Sequence, residues 1–377
     1  MSTSTTDAFL NGEDIRVDPR AIEAELIRLW GPAAERSGGP TPENPNVTRI
    51  VLANLIVVGR AEDESRLAPV LDVVLAQFPS RAIVLRLGRE PGRAVEAEVS
   101  ALCHLPAPGM PQVCSERIIL RASHDASDLL PGSVRPLLEA DLPVVLWWTD
   151  DPREDVPLFE ALVDEASRLI IDLPDPAADV EALRKGLDPG LHPFSRDAAW
   201  FGITPWRELV AKFFDPPCNE GALDKIKAVR ISATSPDIDR TPRQAAWVIA
   251  WLAGQLGWGP VGSPKREPGL LTATFNTPRG EVAVEIHSTA DASINAPVLM
   301  DVSLSIAGDE TFRLTRQGTT SPEVHIQIKS SRACALPRSV ASPKVDEAHR
   351  VAAGLESARK DVPFQRALPH VLWLLGG

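Results

Sequence analysis

Apolar and polar positions follow two different patterns along this chain, and the pattern changes past its midpoint. "RIVLANLIVVG" (49–59), "RAIVLRLG" (81–88), "ERIILRAS" (116–123), "LPVVLWW" (142–148) and "RLIIDLP" (168–174) are nearly continuous apolar runs. Their length suits strands buried on both faces. Leu67, Val70, Leu71, Val74 and Phe78 recur at helical spacing between the first two. Asp18 and Pro19 predict the start of a helix whose apolar face is Ile22, Leu26, Leu29 and Trp30. Further helices are expected over 133–140 and from Asp155 through Val163, so 142–174 reads as a βαβ unit. "VEAEVSALCHL" (95–105) alternates, which predicts a half-exposed strand, antiparallel or at an edge. Residues 1–17 read as a disordered tail. Residues 18–215 read as an α/β domain with a mixed sheet flanked by helices.

Beyond residue 215 strict alternation takes over. "LLTATFNTPRGEVAVEIHS" (270–288) and "VLMDVSLSIAGDETFRLTRQ" (298–317) each predict a hairpin, and "EVHIQI" (323–328) a further strand. "IKAVRISATS" (226–235) is a strand. "TPRQAAWVIAWLAGQLGWG" (241–259) is a helix with a capping box at Thr241 and Gln244 and a stop at Gly257. Its buried side is expected to carry Val248, Trp251, Leu252, Gln255 and Leu256. Thr204 and Pro205 open a helix that Pro216 and Pro217 stop, and those prolines set the domain boundary. Residues 216–377 are therefore expected to form an α+β domain with an antiparallel sheet and C-terminal helices.

Composition narrows the function. The 377 residues are 44% hydrophobic and 24% charged, with 51 acidic against 39 basic side chains and a formal charge of −12. This argues against a general affinity for nucleic acid or an anionic membrane. No apolar stretch approaches a membrane span, and the first residues lack an export signal, so a cytoplasmic location is expected. Four cysteines stand far apart with no C-x-x-C pair and read as buried free thiols. No metal or cofactor is expected. "GWGPVG" (257–262) matches G-x-G-x-x-G, but it follows a helix instead of a strand and contains Pro260, so it reads as a helix stop and loop.

Asp150, Asp151, Glu154 and Asp155 form the strongest catalytic candidate, because paired carboxylates can divide acid and base roles. The competing reading is a helix start, with Asp155 as cap and the acidic side chains facing the helix dipole. The chain has nine tryptophans and no tyrosine. Trp147 and Trp148 are strand neighbours and are expected to face opposite sides, one inward and one outward.

"LPVVLWW" with "RLIIDLP", followed by Trp200-x-x-x-Thr-Pro-Trp-Arg-Glu-Leu to Asp215, resembles the glucose-6-phosphate dehydrogenase assembly protein family, OpcA. The "AAWVIAWLAGQLGW" helix, the paired hairpins and "GLESARKDVPFQRAL" are similar in layout, so the resemblance spans roughly residues 20–370. It implies a non-enzymatic partner that binds glucose-6-phosphate dehydrogenase, promotes its active oligomer and supports the oxidative pentose phosphate pathway. Trp148, Trp206 and Arg207 are the expected partner-binding residues, since Trp and Arg dominate interface hot spots. Two alternatives are kept. One is a sugar-phosphate isomerase or lactonase using carboxylates at strand ends; the other is a sugar-phosphate sensor.

Overall fold

The computed structural model describes residues 5–10, 12–35, 47–105, 107, 112–174, 179–308, 310–329, 339–342, 345–357 and 360–376. The chain divides into two compact units. The first holds Met1–Asp172, Lys185–Arg196 and Glu347–Ala358; the second holds Leu173–Arg184, Asp197–Asp346 and Arg359–Gly377.

The first unit contains α1 (Thr5–Leu10), β1 (Ile15–Val17), α2 (Ile22–Glu35), β2 (Val47–Arg49), β3 (Asn54–Arg60), α3 (Glu64–Gln77), β4 (Arg81–Gly88), β5 (Val95–His104) and β6 (Gln112–Ser123). α4 (Leu130–Val134), β7 (Val144–Trp148), α5 (Val156–Val163), β8 (Arg168–Ile171) and β9 (Ser195–Asp197) follow. The sheet order is β1-β5-β6-β4-β3-β7-β8-β9, with β2 beside β6. β6, β4, β3, β7 and β8 run parallel; β5 is antiparallel to β6, and β1 is antiparallel to β5. The apolar runs behave as their composition requires: β3 and β4 are buried along nearly their whole length, and β7 is buried from Val145 to Trp148.

The expected tail is not a tail among the described residues. Phe9 is fully buried and meets Trp30 edge-on at 5.2 Å between centroids, and β1 pairs with β5. One buried aromatic and three ladder residues hold a segment that has no clear periodicity of its own. The run 49–59 is not one strand either, because β2 joins β6 and β3 begins only at Asn54. The cysteine reading needs a correction as well. Cys103 and Cys114 are direct cross-strand partners on β5 and β6 and form a disulfide. Antiparallel register brings together residues that the sequence shows as unrelated. Cys334 and the side chain of Cys218 lie outside the described residues.

The second unit contains the described end of α6 (Val180–Gly186) up to Arg184, then α7 (Ala198–Gly202), α8 (Thr204–Lys212), β10 (Ile226–Ser235), α9 (Arg243–Leu256) and β11 (Gly259–Glu267). β12 (Leu270–Thr277), β13 (Gly280–Ala290), β14 (Val298–Ile306), β15 (Glu310–Arg316), β16 (Glu323–Lys329) and β17 (Ser339–Ala341) complete its sheet. α10 (Glu347–Glu356) returns to the first unit and α11 (Val362–Gly376) belongs to the second. The sheet order is β11-β12-β13-β10-β14-β15-β16-β17. β10 runs parallel to β13, so the sheet is mixed instead of purely antiparallel. The cause is the crossover through α9, which returns the chain on the far side of β13.

α7 and α8 fall in the second unit, not before a boundary at Pro216. Phe213, just past α8, packs against Phe312 of β15 at 5.3 Å, and Arg316 lies 5.6 Å from the Trp206 ring. Pro242, not Thr241, stands at the N-cap of α9 and gives no side-chain cap, and Thr241 Oγ1 instead accepts a bond from Arg266 at 2.9 Å. Gly257 does end it, in the left-handed region at φ 65°. The helix is buried all round from Ala245 to Ala250, while Gln255 is exposed and Trp251 half-buried, so it is a central helix and not a one-sided one.

Candidate functional site

In an open parallel sheet, ligands bind beyond the carboxyl ends of strands, where the strand order reverses. Here that point lies between β3 and β7, since β4 follows β3 on one side and β7 lies on the other. The residues there are largely engaged with one another. Arg60 donates to Asp150 twice, at 2.7 and 2.8 Å, and pairs with Glu154 at 2.5 Å. The bond to Asp150 holds the Arg60 pKa above its ordinary value, against the opposing effect of burial. Asp151 accepts from Arg153, which lowers its pKa. Asp155 Oδ1 accepts from the Leu158 N–H at 3.1 Å, so it caps α5. Thr149 is buried, with its hydroxyl donating to the Val58 carbonyl at 2.9 Å.

Arg86, on β4, is the exception. It is 2% exposed, and its Nε and Nη1 have no partner among the described residues. Burial pushes its pKa down to about 10. The charges of Glu64 and Asp63, at the start of α3, work the other way on it. Acidic side chains at a helix start counter the positive field there and disfavour a bound phosphate.

Trp147 and Trp148 are both buried, at 0% and 1% exposure. The expected outward indole is absent because β7 lies between β3 and β8, covered on both faces. Trp147 Nε1 donates to Asp172 at 3.3 Å, and Trp148 meets Phe159 edge-on at 4.8 Å. Trp206 is 4% exposed. Arg207 is half-buried, with its guanidinium 3.9 Å from the Trp200 ring centroid and Nη2 donating to Thr204 at 2.9 Å. The structure does not bring Trp148 together with Trp206 and Arg207 in one unit.

Around Arg207 lies a dense aromatic cluster. Trp200 packs edge-on to Trp247 at 5.2 Å, and Trp247 stacks on Phe364 at 5.0 Å. Each indole N–H meets a carboxylate: Trp200 donates to Asp361 at 2.8 Å and Trp247 to Asp197 at 2.7 Å. The partly accessible tryptophans are Trp30, Trp251 and Trp373.

Two charged clusters escape sequence reasoning. At the end of β8, Asp172 lies near Glu347 of α10, with Arg66 on Glu347 and Arg350 at 3.9 Å from Asp172. Burial raises the Glu347 pKa, and the Asp172 charge adds to this. At the amino ends of the strands, buried Glu116 accepts from Trp30 and Arg49 at 2.6 Å and from Arg81 at 2.7 Å. Glu23, Ile27 and Glu139 help line the adjoining cavity of about 360 Å³. Burial works to lower the Arg49 pKa, but the bonds to Glu116 and Glu139 outweigh it. Both clusters join residues far apart in sequence, and no local motif announces them. Among the described residues, no group of His, Cys, Asp and Glu is placed to hold a metal ion, and no helix is long and apolar enough to cross a membrane.

Comparison with known proteins adds a family. Residues 72–185 match the glucose-6-phosphate dehydrogenase subunit N-terminal domain, and residues 193–368 match its C-terminal domain. A protein of Synechocystis sp. named "Putative OxPP cycle protein OpcA" is 29% identical over 205 residues, covering 53% of this chain and 42% of its own length. A protein of the same name from Synechococcus elongatus is 30% identical over 194 residues, covering 50% and 42%. These alignments span less than half of either relative. Among solved structures, an oxidoreductase from Sinorhizobium meliloti superposes with a TM-score of 0.47 at 8% identity, over 85% of this chain and 95% of its own. A dehydrogenase (MviM) from Clostridium difficile does so with 0.45 at 7%, over 85% and 97%. With both domain models matched in order over most of its length, the chain belongs to the glucose-6-phosphate dehydrogenase subunit family, OpcA.

Proposed function

We propose that this chain is a non-catalytic partner of glucose-6-phosphate dehydrogenase that binds the enzyme, promotes its active oligomer and so serves the oxidative pentose phosphate pathway. The observation that carries this reading is the state of the crevice between β3 and β7. The groups available for chemistry there are spent on one another: Arg60 on Asp150 and Glu154, Arg153 on Asp151, Asp155 on a helix cap. The names of the relatives and of the matched family support it.

Activation follows if the chain binds the active state of the dehydrogenase more tightly than the inactive one. A tenfold shift needs a difference of about 1.4 kcal/mol. In this reading Trp148, Trp206 and Arg207 act from beneath the contact surface, by fixing the elements that carry it. The test mixes the purified chain with the glucose-6-phosphate dehydrogenase of the same organism and follows particle mass and initial rate. A larger particle with a higher rate is expected; no complex and no change in rate would refute the reading.

A second reading rests on Asp172 and Glu347, two carboxylates at a strand end with one pKa raised. That arrangement suits a general acid in a sugar-phosphate enzyme. It requires turnover by the chain alone that is lost in Glu347→Gln.

A further inference from the structure

The second unit's sheet has one face that its own helices leave bare. On β10, β13, β14 and β15 every second residue is apolar and buried, and these side chains form the core side. The intervening residues form the other face. The pairing registers set them in straight rows across the sheet. One row runs Glu285, Arg230, Ser303, Arg313 over β13, β10, β14 and β15 in turn. The next row toward the hairpin ends is small, with Ala283 beside Ala228 and Ser305.

We propose that this face is the docking surface for a second copy of the chain, packed sheet against sheet about a two-fold axis that runs along the strands between β10 and β14. Such an axis lays β13 of one copy over β15 of the other and β10 over β14. Each copy then sets its Glu285 against the partner copy's arginine at position 313, twice per dimer because the contact is isologous. The charge order of the row is thus self-complementary under the one symmetry that stacks the two sheets in alignment. Within one copy Arg230 and His287 bond Glu285 through Oε2, at 2.7 and 2.9 Å, and Arg313 bonds Asp301 through Nε at 2.6 Å. Glu285 Oε1 and the terminal nitrogens of Arg313 are left for the partner copy, on side chains 35% and 50% exposed.

Charge and size agree with the assignment. The chain carries −12 overall, but the row and the Asp301 bonded to Arg313 together hold two arginines and two carboxylates, so two copies can meet here without the repulsion that the rest of the surface imposes. Small residues in the neighbouring row permit the ~10 Å spacing of stacked sheets. A third row, His287, Ser232, Asp301 and Thr315, lies on the other side of the charged one. The six strands from β12 to β16 in sheet order, at ~4.8 Å each and over these three rows, cover on the order of 500–600 Å² per copy, so about 1,100 Å² in total, just above the lower bound for a specific interface. A reversible dimer follows, not a permanent one.

The test uses the full chain without any dehydrogenase, so its outcome is independent of the activation reading. Sedimentation equilibrium over a micromolar range should give twice the chain mass. Arg313→Glu and Glu285→Arg each place two like-charge contacts in the dimer and should weaken it at least ~100-fold. Mixing the two single variants in equal amounts restores opposite charges at both contacts and should restore the dimer. A misfolded variant would not be rescued in this way. A wild-type chain that stays monomeric overturns the proposal, including the case where this face binds only the dehydrogenase. So does a dimer that survives both single variants, or a mixture that does not recover.

Discussion

The two sheets of this molecule use their aromatic and charged residues in opposite ways. The first is covered on both faces at its centre, so Trp147 and Trp148, adjacent on β7, both disappear into packing. The second is covered on one face, and its other side shows a repeating row of small and charged residues. An indole on a central parallel strand therefore says little about partners. An ordered row of charges on a half-covered sheet says more, because it stays partly exposed even after pairing within its own unit.

The largest expected effects test whether the tryptophan blocks are core. Trp148→Ala removes a side chain that is 1% exposed and should cost about 3–5 kcal/mol of stability by cavity formation. Asp197→Ala leaves the Trp247 N–H without its acceptor and takes a carboxylate from beside the buried Arg243, at 3.3 Å, for a similar cost of about 3–5 kcal/mol. Chemical denaturation would measure both. If Trp148→Ala leaves stability unchanged yet abolishes activation of the dehydrogenase, the contrast between core indole and open row fails.

Much of the fold was legible because its signals are local. β4 matches its apolar run from Arg81 to Gly88, and both hairpins fall where alternation placed them. β11 was not legible: eight of its nine residues are exposed or nearly so, and an edge strand with Pro260 and Pro264 has no alternation to read. The parallel pairing of β10 with β13 was hidden as well, since strand order depends on how α9 crosses the sheet. The acidic run 150–155 was visible, and its helix-start reading holds for Asp155. The other site residues were harder. Arg86 looks like an ordinary polar residue within a strand; only the sheet seals it. Glu116, Arg49 and Arg81 meet across three strands, and Asp172 and Glu347 across nearly half of the chain.

A middle-sized effect tests the interior of the first sheet from the polar side. Arg86 carries a buried charge with two unpartnered N–H groups. Arg86→Leu should raise stability by about 1–3 kcal/mol, because removing an unsatisfied buried charge recovers its desolvation cost. The gain should shrink at strongly alkaline pH. With its folded pKa near 10 and below that of the unfolded chain, wild-type Arg86 sheds its proton first in the folded state, and its penalty falls as pH rises through that value. A loss of stability in Arg86→Leu would instead mean that this guanidinium holds the crevice together, and the contrast between spent and open polar groups would narrow.

The smallest effect lies at the acid end. His192 is 7% exposed and bridges two backbone groups: Nε2 lies 3.0 Å from the Ala166 carbonyl, and Nδ1 accepts from the Phe194 N–H at 3.3 Å. That pair of bonds requires the neutral ring, protonated on Nε2 alone. Burial lowers its pKa below 6.5, and nearby Arg196 acts in the same direction. Above pH ~6.5 the ring is neutral whether folded or not, and its contribution is complete. As pH falls through the lowered folded value, the unfolded chain takes up the proton first, and stability is lost. His370 of the second unit, also lowered by burial, gives a slope of the same sign. His192→Gln should therefore flatten only part of the decline in melting temperature below pH 6.5, and His370→Gln the remainder. A decline that survives both would have to come from carboxylates such as Glu64 and Glu139, whose pKa values are lowered by Arg121 and Arg49 and whose loss begins at more acidic pH.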